Sequence, residues 1–116
     1  MTVKVKRIYE KQESDDGLRI LVDRVWPRGV AKKEAVLDHW LKEVAPSTEL
    51  RKWFGHDADK FSEFSQKYRE ELAQGEQKEA WDKLENLARE QDVTLVFAAK
   101  DTTHNQAVVL KELLEK

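Results

Sequence analysis

No cysteine occurs in the 116 residues. Disulfides, thiolate metal sites and cysteine nucleophiles are therefore excluded, a usage in keeping with a reducing compartment. No apolar run is long enough to span a bilayer, and Met1-Thr2-Val3-Lys4 lacks the apolar core of a signal peptide. The expectation is a soluble, cytoplasmic protein with no membrane partner. Charge of one sign is missing as well: 38% of the residues are charged, yet the formal net charge is -2. Without a global basic excess, electrostatics alone does not argue for nucleic-acid binding, and any cationic site has to be local. There is no repeat, low-complexity tract or linker, no Walker loop and no Gly-x-Gly-x-x-Gly. The three histidines are far apart, with no His-x-x-x-His, so neither a metal nor a cofactor is expected.

What is present fits one domain with its own core, and four tryptophans in so short a chain argue against disorder. The stretch from Ile20 to Gly29 is the most informative. Ile20-Leu21-Val22 reads as a strand buried on both faces, delivering Asp23, Arg24, Trp26 and Arg28 into a loop shaped by Pro27 and Gly29. That second strand covers about Arg19 to Val25. Ahead of it, alternation predicts a first strand over Thr2 to Tyr9. Arg7 falls on the face that Val3 and Val5 bury, which implies either a bulge or an arginine pointing into a pocket. Glu10 to Gly17 reads as a surface loop, and on its length alone the first two strands form a hairpin.

Val36, Leu37, Trp40, Leu41 and Val44 predict a helix over Lys32 to Val44, ended by Pro46. Ser47 is the N-cap of a short helix carrying Leu50, Trp53 and Phe54, which Gly55 terminates. Phe61, Phe64, Tyr68 and Leu72 mark a helix entered at Asp57, and Ala80 to Glu90 mark another beyond Gly75. Val93 to Ala99 is a third, unbroken apolar strand ending in Lys100-Asp101. Thr103 with Gln106 has the spacing of a capping box for a last helix.

Two continuous apolar strands among helices indicate an α/β fold with a small, mainly parallel sheet of three to four strands and helices on both faces. In such sheets ligands bind outside the carboxyl ends of the strands. Asp23, Arg24, Trp26 and Arg28 from one end would then meet Lys100, Asp101, His104 and Asn105 from the other, with Arg7 as a further candidate. Arginine suits two-pronged binding of phosphate or carboxylate, so these residues describe a pocket for a small anionic ligand. The competing structural reading has Asp23 paired with Arg28 or Lys100 to stitch two loops. His104 beside Asp101 or Asp23 could move a proton, or simply open the helix. His56 reaches the crevice or caps its helix, with capping preferred, and His39 is a surface residue. Trp26 stacks a ring or packs at the core rim. A DNA stripe would need Arg7, Arg24 and Arg28 to join Lys32 and Lys33, which the intervening acids disfavour.

Leu21-Val22-Asp23-Arg24-Val25-Trp26-Pro27-Arg28-Gly29-Val30, Leu37-Asp38 with Trp40-Leu41-Lys42, Ala45-Pro46-Ser47, Leu50 through Asp57, and Ala98-Ala99-Lys100-Asp101 with His104-Asn105 and Ala107 to Leu110 resemble the YeaO-like branch of the domain of unknown function family 488. The resemblance implies a cytoplasmic, bacterial-type α/β domain with parallel first and second strands, in place of the hairpin. It implies no chemistry. Some members carry a transcription-regulator label, but this chain has no helix-turn-helix with a basic reading helix. Other branches place cysteines around the Ala99-Lys100-Asp101 motif, and their thiol chemistry does not transfer to a chain without any. The leading expectation is a small-molecule binding protein or acid–base enzyme. The alternatives are a protein-interaction module presenting Trp26, Trp53 and Phe54 to a partner, and a nucleic-acid-associated regulator.

Overall fold

The computed structural model describes residues 2–116. In chain order the elements are β1 (Val3–Arg7), β2 (Leu18–Leu21), β3 (His39–Trp40), α1 (Thr48–Phe54), α2 (Phe61–Glu71), α3 (Gly75–Glu90), β4 (Val93–Phe97) and α4 (Gln106–Leu114). Single 3-10 turns occupy Lys32–Glu34, Lys42–Val44 and Ala58–Lys60. No helix is long and apolar enough to cross a membrane among the described residues.

The sheet is wholly parallel, in the order β1-β4-β2-β3. All five residues of β4 are buried, which is why its sequence is apolar at every position but Thr94. The hairpin suggested by loop length does not form, because β4 inserts between β1 and β2. Gly17, at φ +67, packs directly against the Asp92 backbone just before β2 starts, and the Leu18 N–H donates to the Asp92 carbonyl at 2.9 Å. Arg7 causes no bulge, since its pairing with Phe97 continues the register.

Register places Val3, Val5, Ile20, Val22, Val93, Leu95 and Phe97 on one face, where all four α-helices pack into the main core. The expected α/β class is there, but the layering differs. The opposite face, with Ile8, Leu21 and Val96, is covered by Trp26, Val30, Ala35 and Leu37 from irregular chain and by Trp40 of β3. The rest of that face is polar. Asp16 and Arg19, 2% and 3% exposed, pair at 2.6 Å, and Lys6 reaches the same carboxylate at 2.9 Å. The hydroxyl of Thr94 donates to the Asp16 carbonyl, and the Glu13 N–H to its carboxylate.

The helix expected over Lys32 to Val44 is absent. Val36 adopts a positive φ of 44, which no right-handed helix tolerates. The Arg19 guanidinium holds the Val36 carbonyl at 2.8 Å, while Asp38 exchanges two bonds with the Arg19 backbone. His39, read as helical, pairs with Ile20 in β3 instead. Leu37 and Trp40 thus go to one core and Leu41 and Val44 to the other, a split that mimics helical spacing.

The short helix does begin at Ser47, whose hydroxyl accepts the Leu50 N–H, and ends at a left-handed Gly55. Glu71 grips the same start, accepting from the Ser47 N–H at 2.9 Å and its hydroxyl at 2.5 Å.

Candidate cleft at the carboxyl ends of β2 and β4

β2 and β4 are neighbours pointing the same way, so the chain leaves both at one edge of the sheet. Asp23 occupies that edge. Its Oδ2 accepts the Ala98 N–H at 3.0 Å and its Oδ1 the Gln106 amide at 2.5 Å, tying the exits of β2 and β4 to the first residue of α4. The Trp40 indole donates to the Asp23 carbonyl at 2.7 Å and fixes its backbone.

Beside this junction opens a cleft of about 780 Å³. Asp23, Arg24 and Val25 line one wall, and Lys100, Asp101, His104, Asn105 and Gln106 another. Thr48, Arg51, Lys52 and Phe54 come from α1, Phe64 from α2, and His56 from the turn between them. Phe54 and Phe64 stack at 4.3 Å between centroids. The walls are therefore apolar below, with Ala45, Pro46, Ala98 and Ala99 contributing, and cationic at the rim.

The two carboxylates differ in character. Burial pushes the Asp23 carboxyl up to about 6, outweighing the Ala98 N–H, the Gln106 amide and the attraction of Arg51. At Asp101 the Thr103 N–H is the strongest influence, and with the Thr103 hydroxyl, His104 Nδ1 and the His104 N–H it overcomes desolvation to hold the carboxyl at about 2. Asp101 is thus an ionised turn residue whose oxygens are occupied. A folded-state value above the unfolded 3.8 means that Asp23 stabilises the fold fully below about pH 4 and loses that contribution as pH rises through about 6, a difference of up to about 3 kcal/mol. Urea unfolding is expected to show Asp23→Asn gaining on the wild type across that window as pH rises; parallel profiles would contradict it.

Several residues predicted from sequence line the cleft: Asp23, Arg24, His56, Lys100, Asp101, His104 and Asn105. Their roles differ from the expectation in places. The Arg24 guanidinium donates to the carbonyls of Pro46 at 3.1 Å and Ala45 at 2.9 Å, so two of its donor groups hold the approach to α1. Asn105, not Thr103, caps α4, its Oδ1 accepting the Val108 N–H at 3.1 Å and its Nδ2 donating to the Asp101 carbonyl. His56 does not cap α1; the Gly55 N–H closes that helix on the Arg51 carbonyl, leaving His56 exposed at φ 59. Asp23 forms no ion pair with Arg28 or Lys100.

Arg7, Trp26 and Arg28 lie outside the cleft. Arg7 donates to the carbonyls of Ala99 at 2.9 Å and Ala98 at 3.1 Å while stacking on Tyr9, which secures the exit of β4 from the other side. Trp26 packs edge-on against Trp40 at 5.3 Å and donates to the Val30 carbonyl, a core role. Arg28 is exposed on the loop whose carbonyl accepts from Tyr9. Trp53 is partly buried beneath Lys60 and Lys67, and Phe54 is 6% exposed, so the aromatic rings proposed as a partner patch lie largely inside. Arg51, Lys52, Phe64 and Gln106 line the cleft without a site role in the sequence reading, which gives Phe64 to a helix stripe and Gln106 to a capping box. The available signal was the place of Arg51-Lys52 within the Leu50 to Asp57 motif.

A family model described as the inactive DUF488-N3 subclade matches residues 2–116. The chain is 46% identical over 114 residues to the uncharacterized protein YeaO of Escherichia coli (strain K12), covering 98% of this chain and 97% of that protein. It is 42% identical over 112 residues to the uncharacterized protein Rv3073c of Mycobacterium tuberculosis (strain H37Rv), covering 97% and 92% respectively. No solved structure matches the chain.

Proposed function

The chain belongs to the inactive DUF488-N3 subclade, and on that premise we propose that its cleft binds a small molecule bearing an anionic group, phosphate or carboxylate, without converting it. The observation carrying this reading is the combination of an apolar cleft of about 780 Å³ with Arg51, Lys52 and Lys100 at its rim. A concave, mostly apolar site with a few convergent charges is the usual form of a small-molecule pocket.

Binding without turnover accords with how the acid–base candidates are used. Asp101 and His104 are bonded to each other at the approach to α4, and Asp23 joins that helix to the sheet. The cleft has no thiol, and the family description calls the subclade inactive.

The test is a thermal-shift screen at low salt over phosphorylated and carboxylated metabolites, each beside a neutral analogue. A true ligand at a hundred times its Kd adds about 2.7 kcal/mol to stability. Arg51→Ala with Lys100→Ala is expected to abolish that gain, while Lys33→Ala, outside the cleft, leaves it intact. If no anion stabilises the protein beyond its neutral counterpart, the reading falls.

A further inference from the structure

The cleft contains an unneutralised negative group as well as positive ones. Asp23 receives only two hydrogen bonds, both from neutral donors, the Ala98 N–H and the Gln106 amide. A carboxylate offers about four acceptor directions, so roughly half its capacity is left facing the cleft it lines. Among the described residues no lysine or arginine nitrogen stands within 4.0 Å of it, and Arg51 acts on it only at a distance. Placing a carboxylate in a largely apolar enclosure with so little compensation is costly unless another group arrives to supply it.

The cations are uncompensated in the same way. Arg51, Lys52 and Lys100 form no ion pair among the described residues. The stacked pair Phe54 and Phe64 lines the same cleft. A ligand complementary to this arrangement carries both signs on an apolar body.

Resting on the anion-binding reading above, we infer that the cleft recognises a zwitterion of the amino-acid class, its ammonium group at Asp23, its carboxylate at the Arg51, Lys52 and Lys100 rim, and its apolar side chain over Phe54 and Phe64. The ammonium supplies the cation that Asp23 lacks, and charge-assisted hydrogen bonds of this kind are about twice as strong as neutral ones. A plain carboxylic acid satisfies only the rim. A plain amine satisfies only Asp23.

Calorimetric titration of the intact protein with L-phenylalanine, 3-phenylpropionate and 2-phenylethylamine separates these cases. L-phenylalanine is expected to bind at least about tenfold more tightly than 3-phenylpropionate, which lacks only the amine. Asp23→Asn is expected to erase that preference while leaving 3-phenylpropionate affinity within about threefold. Equal affinity for the two in the wild type overturns the inference and leaves anion binding standing, as does binding of simple anions without L-phenylalanine. If neither these compounds nor any anion of the thermal-shift screen binds, both readings fall together. The wild-type comparison decides the matter even should Asp23→Asn fold poorly.

Discussion

Gly17→Ala is expected to destabilise the protein severely. A Cβ at position 17 would stand 2.2 Å from the carbonyl oxygen of Asp92 and 2.7 Å from its carbonyl carbon, both backbone atoms that no side-chain rotation can move. The φ of +67 adds the strain that a side chain suffers in the left-handed region. Relief requires sliding Gly17 from Asp92, which would break the Leu18-to-Asp92 bond from which the β2–β4 pairing starts. A loss above about 4 kcal/mol would remove a large share of the roughly 5–15 kcal/mol that holds an ordinary domain together. Gly29→Ala is the control. It too has a positive φ, of 75, but nothing within 4 Å of the added carbon, so it should cost only about 1 kcal/mol. Circular dichroism and urea unfolding of the two variants side by side make the comparison, and similar behaviour would refute the steric account.

Asp16→Ala carries the second large effect. Its carboxylate holds Arg19 and Lys6 together on the polar half of the sheet face, and both partners are substantially withdrawn from water. Desolvation is the largest single influence on Asp16 and works against ionisation, yet hydrogen bonds from Lys6, the Glu13 N–H and Arg19 override it and hold the carboxyl at about 2. Removing the acid leaves the buried Arg19 without a counter-charge and Lys6 with only the exposed Glu13 carboxylate at 3.0 Å, and stranding a buried charge typically costs about 3–5 kcal/mol. The lowered value fixes the sign of the pH dependence: the stabilisation is full above about pH 4 and disappears as pH falls through about 2, opposite to Asp23. If the burden is the stranded charge rather than lost packing, adding Lys6→Met and Arg19→Met to Asp16→Leu should restore much of the lost stability in denaturant titration. A triple variant as unstable as Asp16→Ala would show the network to be needed for shape.

That network was hidden in the sequence because its central acid sits in Ser14-Asp15-Asp16-Gly17, which has the composition of a solvent-facing turn. Asp15 does behave that way, pairing with the half-exposed Lys4, while its neighbour turns inward. Local composition cannot distinguish them, since the difference lies in Arg19 and Thr94, which only the sheet brings near. Where the determinant is local, the reading held. The Val93 strand, the Ser47 cap and the Gly55 stop depend on residues within a turn or two of one another. The span from Lys32 to Val44 failed because four apolar residues serving two different cores happened to recur at helical intervals, and only Val36's backbone and Arg19's grip tell otherwise. The cleft was legible as far as its two strand exits. Its α1 wall was not, since nothing in Arg51-Lys52 says that Ser47 and Glu71 set that helix against the sheet edge.

The central position of β4 also fixes a schedule for biosynthesis. As the chain emerges from N- to C-terminus, β1 and β2 are complete early but have no mutual ladder to form, and their common partner is made only after three helices have appeared. Until Val93 to Phe97 is released, β1 has no strand partner and β2 has only the two residues of β3 beside it, the condition in which nascent chains depend most on holding factors. The last quarter of the polypeptide therefore acts as a keystone, locking the sheet and closing the cleft wall in one late event.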